Sequence, residues 1–218
     1  MRIFILIIIL SSISLKGFGQ FRPKPFVGID RTINAGFKNR SYGSLAAGVE
    51  LFNWKFIAPE VSYEYTFGTL HDVGNYSTEI MMDTDYLSRS FRSNVLSLGM
   101  KLYYGQGLAK VFILPKYSWA NTTVKGRYWE LTDKGLAYEF KEEQKYSERV
   151  EYFQIGVGYE ADIFETELVI LSFRVFYNSM DLSQLFEQID FSEQGYPPKE
   201  INTESIGLAI YVLFNPYH

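Results

Sequence analysis

The feature that most constrains the fold is a strict two-residue alternation of apolar side chains, which is clearest near the C-terminus. In Ser205–Phe214 every second residue is large and apolar, and most of the residues between them are small or polar. Residues 153–163 show the same pattern. Successive side chains of a β-strand point to opposite sides of the sheet, so a period of two predicts strands with one apolar face.

Eight such runs succeed one another along the chain, at residues 26–33, 42–52, 56–67, 94–104, 109–119, 153–163, 169–177 and 205–214. Short turns alternate with long polar stretches at 68–92, 121–149 and 178–203. This asymmetry predicts an all-β fold, an eight-stranded antiparallel up-and-down transmembrane β-barrel with short periplasmic turns and long extracellular loops. Pro115 lacks the N–H that a strand donates, so a bulge is expected in the fifth run.

The less apolar face of these runs carries the glycines and most of the charges. Glycine suits the narrow interior of an eight-stranded barrel, whereas a soluble barrel or sandwich would gain nothing from glycine on its outer face. Opposite charges in a closed interior are expected to pair and fill it. We therefore expect interior salt bridges among Asp30, Glu50, Glu60, Glu64, Lys101, Lys116, Glu160, Asp162 and Arg174. A conducting pore is the alternative use of the same charges.

Composition narrows the classes of function. The 218 residues suit one domain, and the net charge of −4 is too small to indicate a nucleic-acid partner. The mean hydropathy of −0.08 fits strands that alternate apolar with polar residues. There is no cysteine, which excludes disulfides, a thiolate nucleophile, a cysteine-ligated metal and a lipid anchor on cysteine.

The first residues have the pattern of a targeting segment. Arg2 precedes an apolar run at 3–15, and small residues at Gly17 and Gly19 lie where a signal peptidase cleaves. We expect residues 1–19 to be a signal peptide and residues 20–218 to form the barrel domain, and a retained membrane anchor is the alternative. A secreted barrel of this type is expected in the outer membrane of a Gram-negative bacterium.

The chain resembles the small eight-stranded bacterial outer-membrane β-barrels, such as the OmpX- and OmpA-type barrels and the barrel proteins common in Bacteroidetes. The resemblance rests on the architecture and on a terminal signal formed by Ser205, Gly207, Ile210, Val212 and Phe214. It implies that the barrel-insertion machinery reads the last strand during biogenesis. Most members of these families end at the aromatic residue, whereas here residues 215–218 follow Phe214.

Candidate chemistry is sparse, and no catalytic, cofactor-binding or metal-binding residue is assigned. His71 and Asp72, with Ser77 nearby, lie in a long loop and leave open a rim enzyme that modifies lipid A or phospholipid. Asp83 and Asp85 have the spacing of calcium ligands without the glycine and glutamate of a calcium loop. The main hypothesis is non-enzymatic: a barrel that presents extracellular loops for interaction or within an outer-membrane complex. A narrow solute channel is a further alternative.

Two of the long loops have residue spacings that predict secondary structure of their own. Alternation continues on both sides of a turn signal at 132–135, which predicts that strands five and six extend outward as a hairpin. Its aromatic residues are the candidate surface for a protein partner: Tyr128, Trp129, Tyr138 and Phe140. Residues 181–189 have helical spacing and predict a short helix over the barrel mouth. Expected partners are outer-membrane lipid and lipopolysaccharide, the insertion machinery and a protein that binds the loops; nucleic acid is not expected.

Overall fold

The structure is a computed structural model that describes residues 22–54, 56–70, 73–78, 82–105, 109–132, 137–162, 168–199 and 201–217. The predicted signal peptide, His71, Asp72, His218 and the turn at 133–136 lie outside these residues. Within the described part of the chain, no helix has both the length and the apolar character needed to cross a membrane.

Nine strands account for most of the described chain. They are β1 (Lys24–Ile33), β2 (Ser41–Glu50), β3 (Ile57–Thr69), β4 (Val73–Ser77), β5 (Met82–Tyr104), β6 (Ala109–Leu131), β7 (Tyr138–Asp162), β8 (Val169–Asn178) and β9 (Ser205–Phe214). One helix, α1 (Ser183–Glu187), and two 3-10 turns, Lys38–Arg40 and Ser192–Gln194, lie in the loops.

Eight of the strands close into a ring in the order β1-β2-β3-β5-β6-β7-β8-β9. All neighbours are antiparallel, and β9 returns to pair with β1 from Phe26 opposite Leu213 to Ile33 opposite Ile206. The predicted eight-stranded up-and-down barrel is therefore confirmed. We call the end with the short connections the inner end, and the end with the long loops the outer end.

Three strands rise beyond the others at the outer end. β5, β6 and β7 pair up to Asp85 opposite Glu130 and Leu131 opposite Tyr138, with one shift of register in β6 and β7 between Tyr128 and Trp129, and β4 adds to the edge of β5. We call this part of the sheet, above residue 95 of β5, the ribbon. The predicted hairpin of the fifth and sixth runs, which correspond to β6 and β7, is confirmed. The interpretation of residues 68–92 as a polar loop is wrong, because β3 reaches Thr69 and β5 begins at Met82.

The predicted bulge at Pro115 is also wrong. Lys116 pairs with Gly99, and Ile113 pairs with Leu102, so β5 and β6 keep one register on both sides of the proline. The ladder only loses the two pairs between them. Pro115 keeps its place opposite Ile155 of β7.

The last loop folds back over the outer mouth and forms a lid, residues 179–204. Its helix α1 has the predicted position, and Asp181 accepts the backbone N–H of Ser183 at 2.9 Å. The lid packs its apolar side chains onto the inward face of the ribbon. The resulting core contains Leu182, Leu185, Phe186, Ile189 and Phe191 from the lid, with Leu87, Phe91, Val124 and Tyr128 from the ribbon.

Candidate functional site

A belt of buried charge crosses the barrel near its inner end. Lys101 of β5 is fully buried, and its ammonium group donates to Glu50 at 2.8 Å and to Glu160 at 2.7 Å. Glu60 lies 3.5 Å from the same nitrogen. The hydroxyl of Tyr103, 3.0 Å from Glu50 and 2.7 Å from Glu160, shares these carboxylates. One cation thus joins β2, β3, β5 and β7, which are not all neighbours in the ring.

Arg174 of β8 completes the belt from the opposite side. Its guanidinium makes a two-pronged contact with Glu60, at 2.9 and 3.1 Å, and lies 4.0 Å from the ring centre of Tyr211. Phe26 and Phe112 flank the same group at 5.7 and 5.6 Å. A bidentate pair inside an aromatic box fixes the guanidinium geometrically as well as electrostatically.

The other predicted interior residues divide into two groups. Lys116 donates to Glu64 at 2.5 Å, and Asp30 lies beside Lys116 at a small cavity. Asp162 is half-buried at the inner end of β7, two residues beyond Glu160. Lys24, which was not among the predicted residues, lies 3.5 Å from Glu50. It occupies an inward position of β1, in phase with Asp30, so the alternation carried the signal for it.

Above the belt, pairs of small hydroxyl side chains fill the interior and leave little free space. Ser97 and Ser118 lie 2.8 Å apart, as do Ser93 and Thr122. A cavity of about 20 Å³ lies beside Asp30, Lys116 and Arg174. That volume holds about one water molecule. This arrangement fills the barrel rather than leaving a lumen beside the charges.

The apolar face changes sides at one level of the barrel. Val95, Ala120 and Val150 form one cross-strand row and point inward, and the row immediately below contains Leu96 and Trp119, which point outward. Above this level the inward face carries the apolar lid core, and the next four outward rows of β5, β6 and β7 are polar. Below it the outward face is mostly apolar, and Glu151 of β7, which shares the row of Leu96 and Trp119, is a charged exception. We call this level the rim.

Below the rim, exposed apolar side chains surround the whole barrel. Their exposed fractions are mostly between 40 and 60%, and we call them the apolar band: Val27, Ile29, Leu45, Tyr63, Leu96, Leu98, Met100, Leu102, Val111, Ile113, Phe153, Ile155, Val157, Tyr159, Phe173, Val175, Ile206, Leu208, Ile210 and Phe214. Tyrosines near the rim turn their hydroxyls to polar partners: Tyr63 donates to Asn94 at 2.8 Å, and Tyr117 donates to Glu151 at 2.6 Å.

The terminal strand holds the predicted insertion-signal residues in a paired position. β9 pairs with β1 on one edge and with β8 on the other, so Ile210, Val212 and Phe214 lie within the closed wall. Ser205 is buried at a hydroxyl contact of 2.9 Å with Tyr42. A methyl group on Gly207 would lie 2.2 Å from the ring of Phe176, so this position has no room for a side chain.

The four candidate aromatic residues of the ribbon lie on two different faces. Tyr128 is buried, packs against Phe191 and Tyr196, and belongs to the lid core. The other three cluster on the outward face, where Trp129 lies 5.4 Å from Phe140 and Tyr138 bonds the backbone of Asp83. Tyr86, which sequence reasoning missed, lies 6.0 Å from Trp129 and 4.9 Å from Tyr138.

Asp85 holds the lid to the ribbon. Its carboxylate accepts hydrogen bonds from the hydroxyls of Tyr196 and Tyr128 and from the amide of Asn75. Burial and the neighbouring Asp85 carboxylate raise the pKa of Tyr196 above that of an ordinary tyrosine. The Asp85 carboxylate therefore serves contacts within the protein, and the described residues contain no cluster of potential metal ligands.

Comparison with known proteins gives structural similarity alone. No family model matches the sequence, and no curated protein matches it. Among solved structures, the chain is similar to Neisserial surface protein A, with 12% identity over 92% of this chain and 99% of that chain and a TM-score of 0.47. A major outer membrane protein from Thermus thermophilus gives 13% identity, 87% and 99% coverage and a TM-score of 0.47.

The N-terminal β-barrel domain of Pseudomonas aeruginosa OprF is similar over 91% of this chain and 99% of that domain, with 11% identity and a TM-score of 0.41. The fold class itself rests on the closed ring of strands described above. The chain is thus an eight-stranded antiparallel β-barrel that resembles the small outer-membrane barrels of bacteria.

Proposed function

We propose that the protein is a non-enzymatic integral barrel of a Gram-negative outer membrane, and that its extracellular ribbon presents a surface to a protein partner. The observation that carries this proposal is the change of apolar face at the rim. In water the outward face of a barrel gains nothing by being apolar below one level and polar above it. A bilayer that ends at the rim accounts for both halves.

The size of the apolar band supports the same placement. Soluble monomers rarely expose a contiguous apolar patch of more than a few hundred Å², whereas this band surrounds all eight strands. On β9 it extends from Ile206 to Phe214. At ~3.3 Å per residue and a tilt of ~40°, such a strand spans roughly 20 Å, close to the apolar height of outer-membrane barrels.

The filled interior favours a structural barrel over a narrow solute channel. The charge belt joins opposite walls through Lys101 and Arg174, and the lid core closes the outer mouth. An ion that crossed would have to displace paired charges and an apolar core together. The rim-enzyme alternative depends on His71, which lies outside the described residues, and Ser77 belongs to β4.

The outward aromatic cluster of Tyr86, Trp129, Tyr138 and Phe140 supports a partner-binding role for the ribbon. Phe140 is 47% exposed although the lid core is available to apolar side chains on the other face. Clustered aromatic residues supply large contact areas at small entropic cost, which is why they dominate binding hot spots.

Fractionation tests the membrane placement. We expect the mature protein in the outer-membrane fraction, and we expect it to migrate faster on a detergent gel before boiling than after, because a closed barrel resists detergent. Recovery of the folded protein in the soluble periplasmic fraction would refute the placement.

Cross-linking in intact cells tests the ribbon. The double variant Trp129→Ser/Phe140→Ser should lose cross-linked protein neighbours while the unboiled barrel keeps its gel mobility. Tyr146→Ser is the matched control, since Tyr146 is an exposed aromatic residue of β7 outside the cluster. If the double variant retains every neighbour of the wild-type protein, the partner surface lies elsewhere.

A further inference from the structure

The outward face of the ribbon, between the rim and the aromatic cluster, is strongly basic. Four cross-strand rows of β5, β6 and β7 lie there, and their twelve outward positions contain five basic residues, one acidic residue, six uncharged polar residues and no apolar residue. We call this surface the basic face: Ser88, Ser90, Arg92, Asn94, Asn121, Thr123, Lys125, Arg127, Glu143, Lys145, Ser147 and Arg149. None of these residues is buried. The chain as a whole has a net charge of −4, so the positive charge is locally concentrated.

Two lysines of the basic face oppose each other directly. Lys125 of β6 pairs with Lys145 of β7 in the strand register, and like charges in that position destabilise a sheet. Glu143 lies 3.6 Å from Lys125 but is also engaged by Arg127 at 2.7 Å. An anion held between the two ammonium groups would replace this repulsion with attraction.

Other cations of the basic face are not fully neutralised by acidic side chains. The side chains of Arg92 and Lys145 make no hydrogen bond or ion pair within the described part of the chain. Arg149 lies 3.9 Å from Glu151, and that carboxylate already accepts the hydroxyl of Tyr117. The basic face therefore presents partly unsatisfied donors to the surroundings.

The position of the basic face indicates which anion it meets. It begins at Asn121, the next outward position above Trp119, at the upper edge of the apolar band. From there it extends over four successive outward rows. Two residues per row at ~3.3 Å each and a tilt of ~40° give roughly 15–20 Å of height. The headgroup zone of a phospholipid leaflet is only about 5–8 Å deep, so most of the face would rise above it. A taller head group with several phosphates and sugars would cover the whole face.

We propose that the basic face binds the phosphorylated head group of a glycolipid in the outer leaflet, of the lipopolysaccharide class, while the acyl chains of that lipid lie on the apolar band. This inference rests on the proposed membrane placement. Phosphates are bound by Arg92, Lys125, Lys145 and Arg149, and the neighbouring serine, threonine and asparagine side chains bond the sugar hydroxyls. The lipid acts as the shared counter-ion of the opposed lysines.

Native mass spectrometry of the purified barrel in a zwitterionic detergent tests this proposal, with diphosphoryl lipid A as the probe. The wild-type protein should retain lipid A, and Lys125→Gln/Lys145→Gln should bind it roughly thirtyfold more weakly, since each of the two lost surface cations contributes a factor of about five in affinity for an anionic lipid. Lys141→Gln is the matched control, because Lys141 is an exposed lysine of β7 beyond the basic face, paired with Glu139. It should bind lipid A as the wild type does.

Two further probes identify the source of the anion. Lipid A stripped of both phosphates should bind the wild type about as weakly as the double variant binds the intact probe. The deacylated, water-soluble disaccharide bisphosphate should compete poorly, because it lacks contact with the apolar band. Equal retention of phosphorylated and dephosphorylated lipid A, or full competition by the soluble headgroup, would overturn the proposal.

The unboiled gel mobility of each preparation separates this inference from the membrane placement. A barrel that folds in detergent and fractionates with the outer membrane but does not discriminate between the lipids contradicts the glycolipid site alone. A protein recovered folded and soluble in the periplasm contradicts both.

Discussion

The guanidinium of Arg174 reaches the carboxylate of Glu60 across the full width of the barrel, at 2.9 and 3.1 Å. β8 and β3 stand four places apart in the ring of eight, so they are diametrically opposite strands. The pair therefore braces two walls that share no backbone hydrogen bond. Both side chains are buried, at 5 and 1% exposure, so neither charge can be satisfied by bulk water.

Removing one member of this pair should destabilise the barrel strongly. We expect Arg174→Met to lower the free energy of unfolding by about 3 kcal/mol, because it removes the bidentate partner of the buried Glu60 carboxylate and leaves it with the longer contact of 3.5 Å to Lys101. Urea unfolding of the barrel in lipid vesicles measures the effect. The double variant Glu60→Met/Arg174→Met should recover much of the loss, since it removes both charges. An unchanged unfolding midpoint for Arg174→Met would show that the charge is solvated.

Helix α1 contributes one aromatic side chain, Phe186, to the core beneath the lid. Phe186 is fully buried and lies 6.5 Å from the ring centre of Phe91. We expect Phe186→Ala to destabilise lid docking by about 3–5 kcal/mol, the usual cost of an aromatic-to-alanine change in a core. Limited proteolysis should then cut within residues 179–204 while the strands stay protected. Phe140→Ala, which removes the same atoms from an exposed site, should leave the lid resistant. Equal sensitivity of both variants would refute the packing of the lid.

Alkali should loosen the lid through Tyr196. The raised pKa of Tyr196 means that the docked lid keeps a proton which the unfolded segment loses near pH ~10. The docked state then binds more protons, so its stability falls as the pH rises through this range. We expect proteolysis of the lid to increase between about pH 9 and pH 11 in the wild type. Tyr196→Phe should show a smaller increase, and an identical pH dependence of the two proteins would contradict the assignment.

The sequence predicted the barrel wall well because the strands below the rim have a mostly apolar outward face and a polar, charged inward face. It failed at residues 68–92 because the apolar face of β5 changes sides between Val95 and Leu96. A pattern search that expects the apolar residues to stay on one face of a strand takes that change for the end of the strand. A weaker signal was present, since Leu87, Phe91 and Val95 are spaced four residues apart and so fall on one face of a strand, with Arg89 and Ser93 between them on the same face.

The interior residues could be placed on a face from sequence, but their partners could not. Lys101 contacts Glu50 and Glu160 from β2 and β7, and these contacts depend on the stagger of the strands around the ring. Alternation determines the side of the wall and leaves that stagger open. The assignment of Tyr128 and Trp129 to one surface was wrong, because alternation itself places neighbours in sequence on opposite faces of a strand, and that is where they lie on the ribbon.

We propose that a bilayer covers the apolar band and ends at the rim, and the accessibility of two positions along one strand locates that boundary. The chain has no cysteine, so single cysteines can be placed at Val157 and Ser147, which share the outward face of β7 on either side of the rim. Both side chains are exposed in the isolated protein, Val157 at 55%. Treatment of intact cells with a membrane-impermeant maleimide should label Ser147→Cys and leave Val157→Cys unlabelled until the protein is denatured. Equal labelling of the two variants in intact cells would contradict the account.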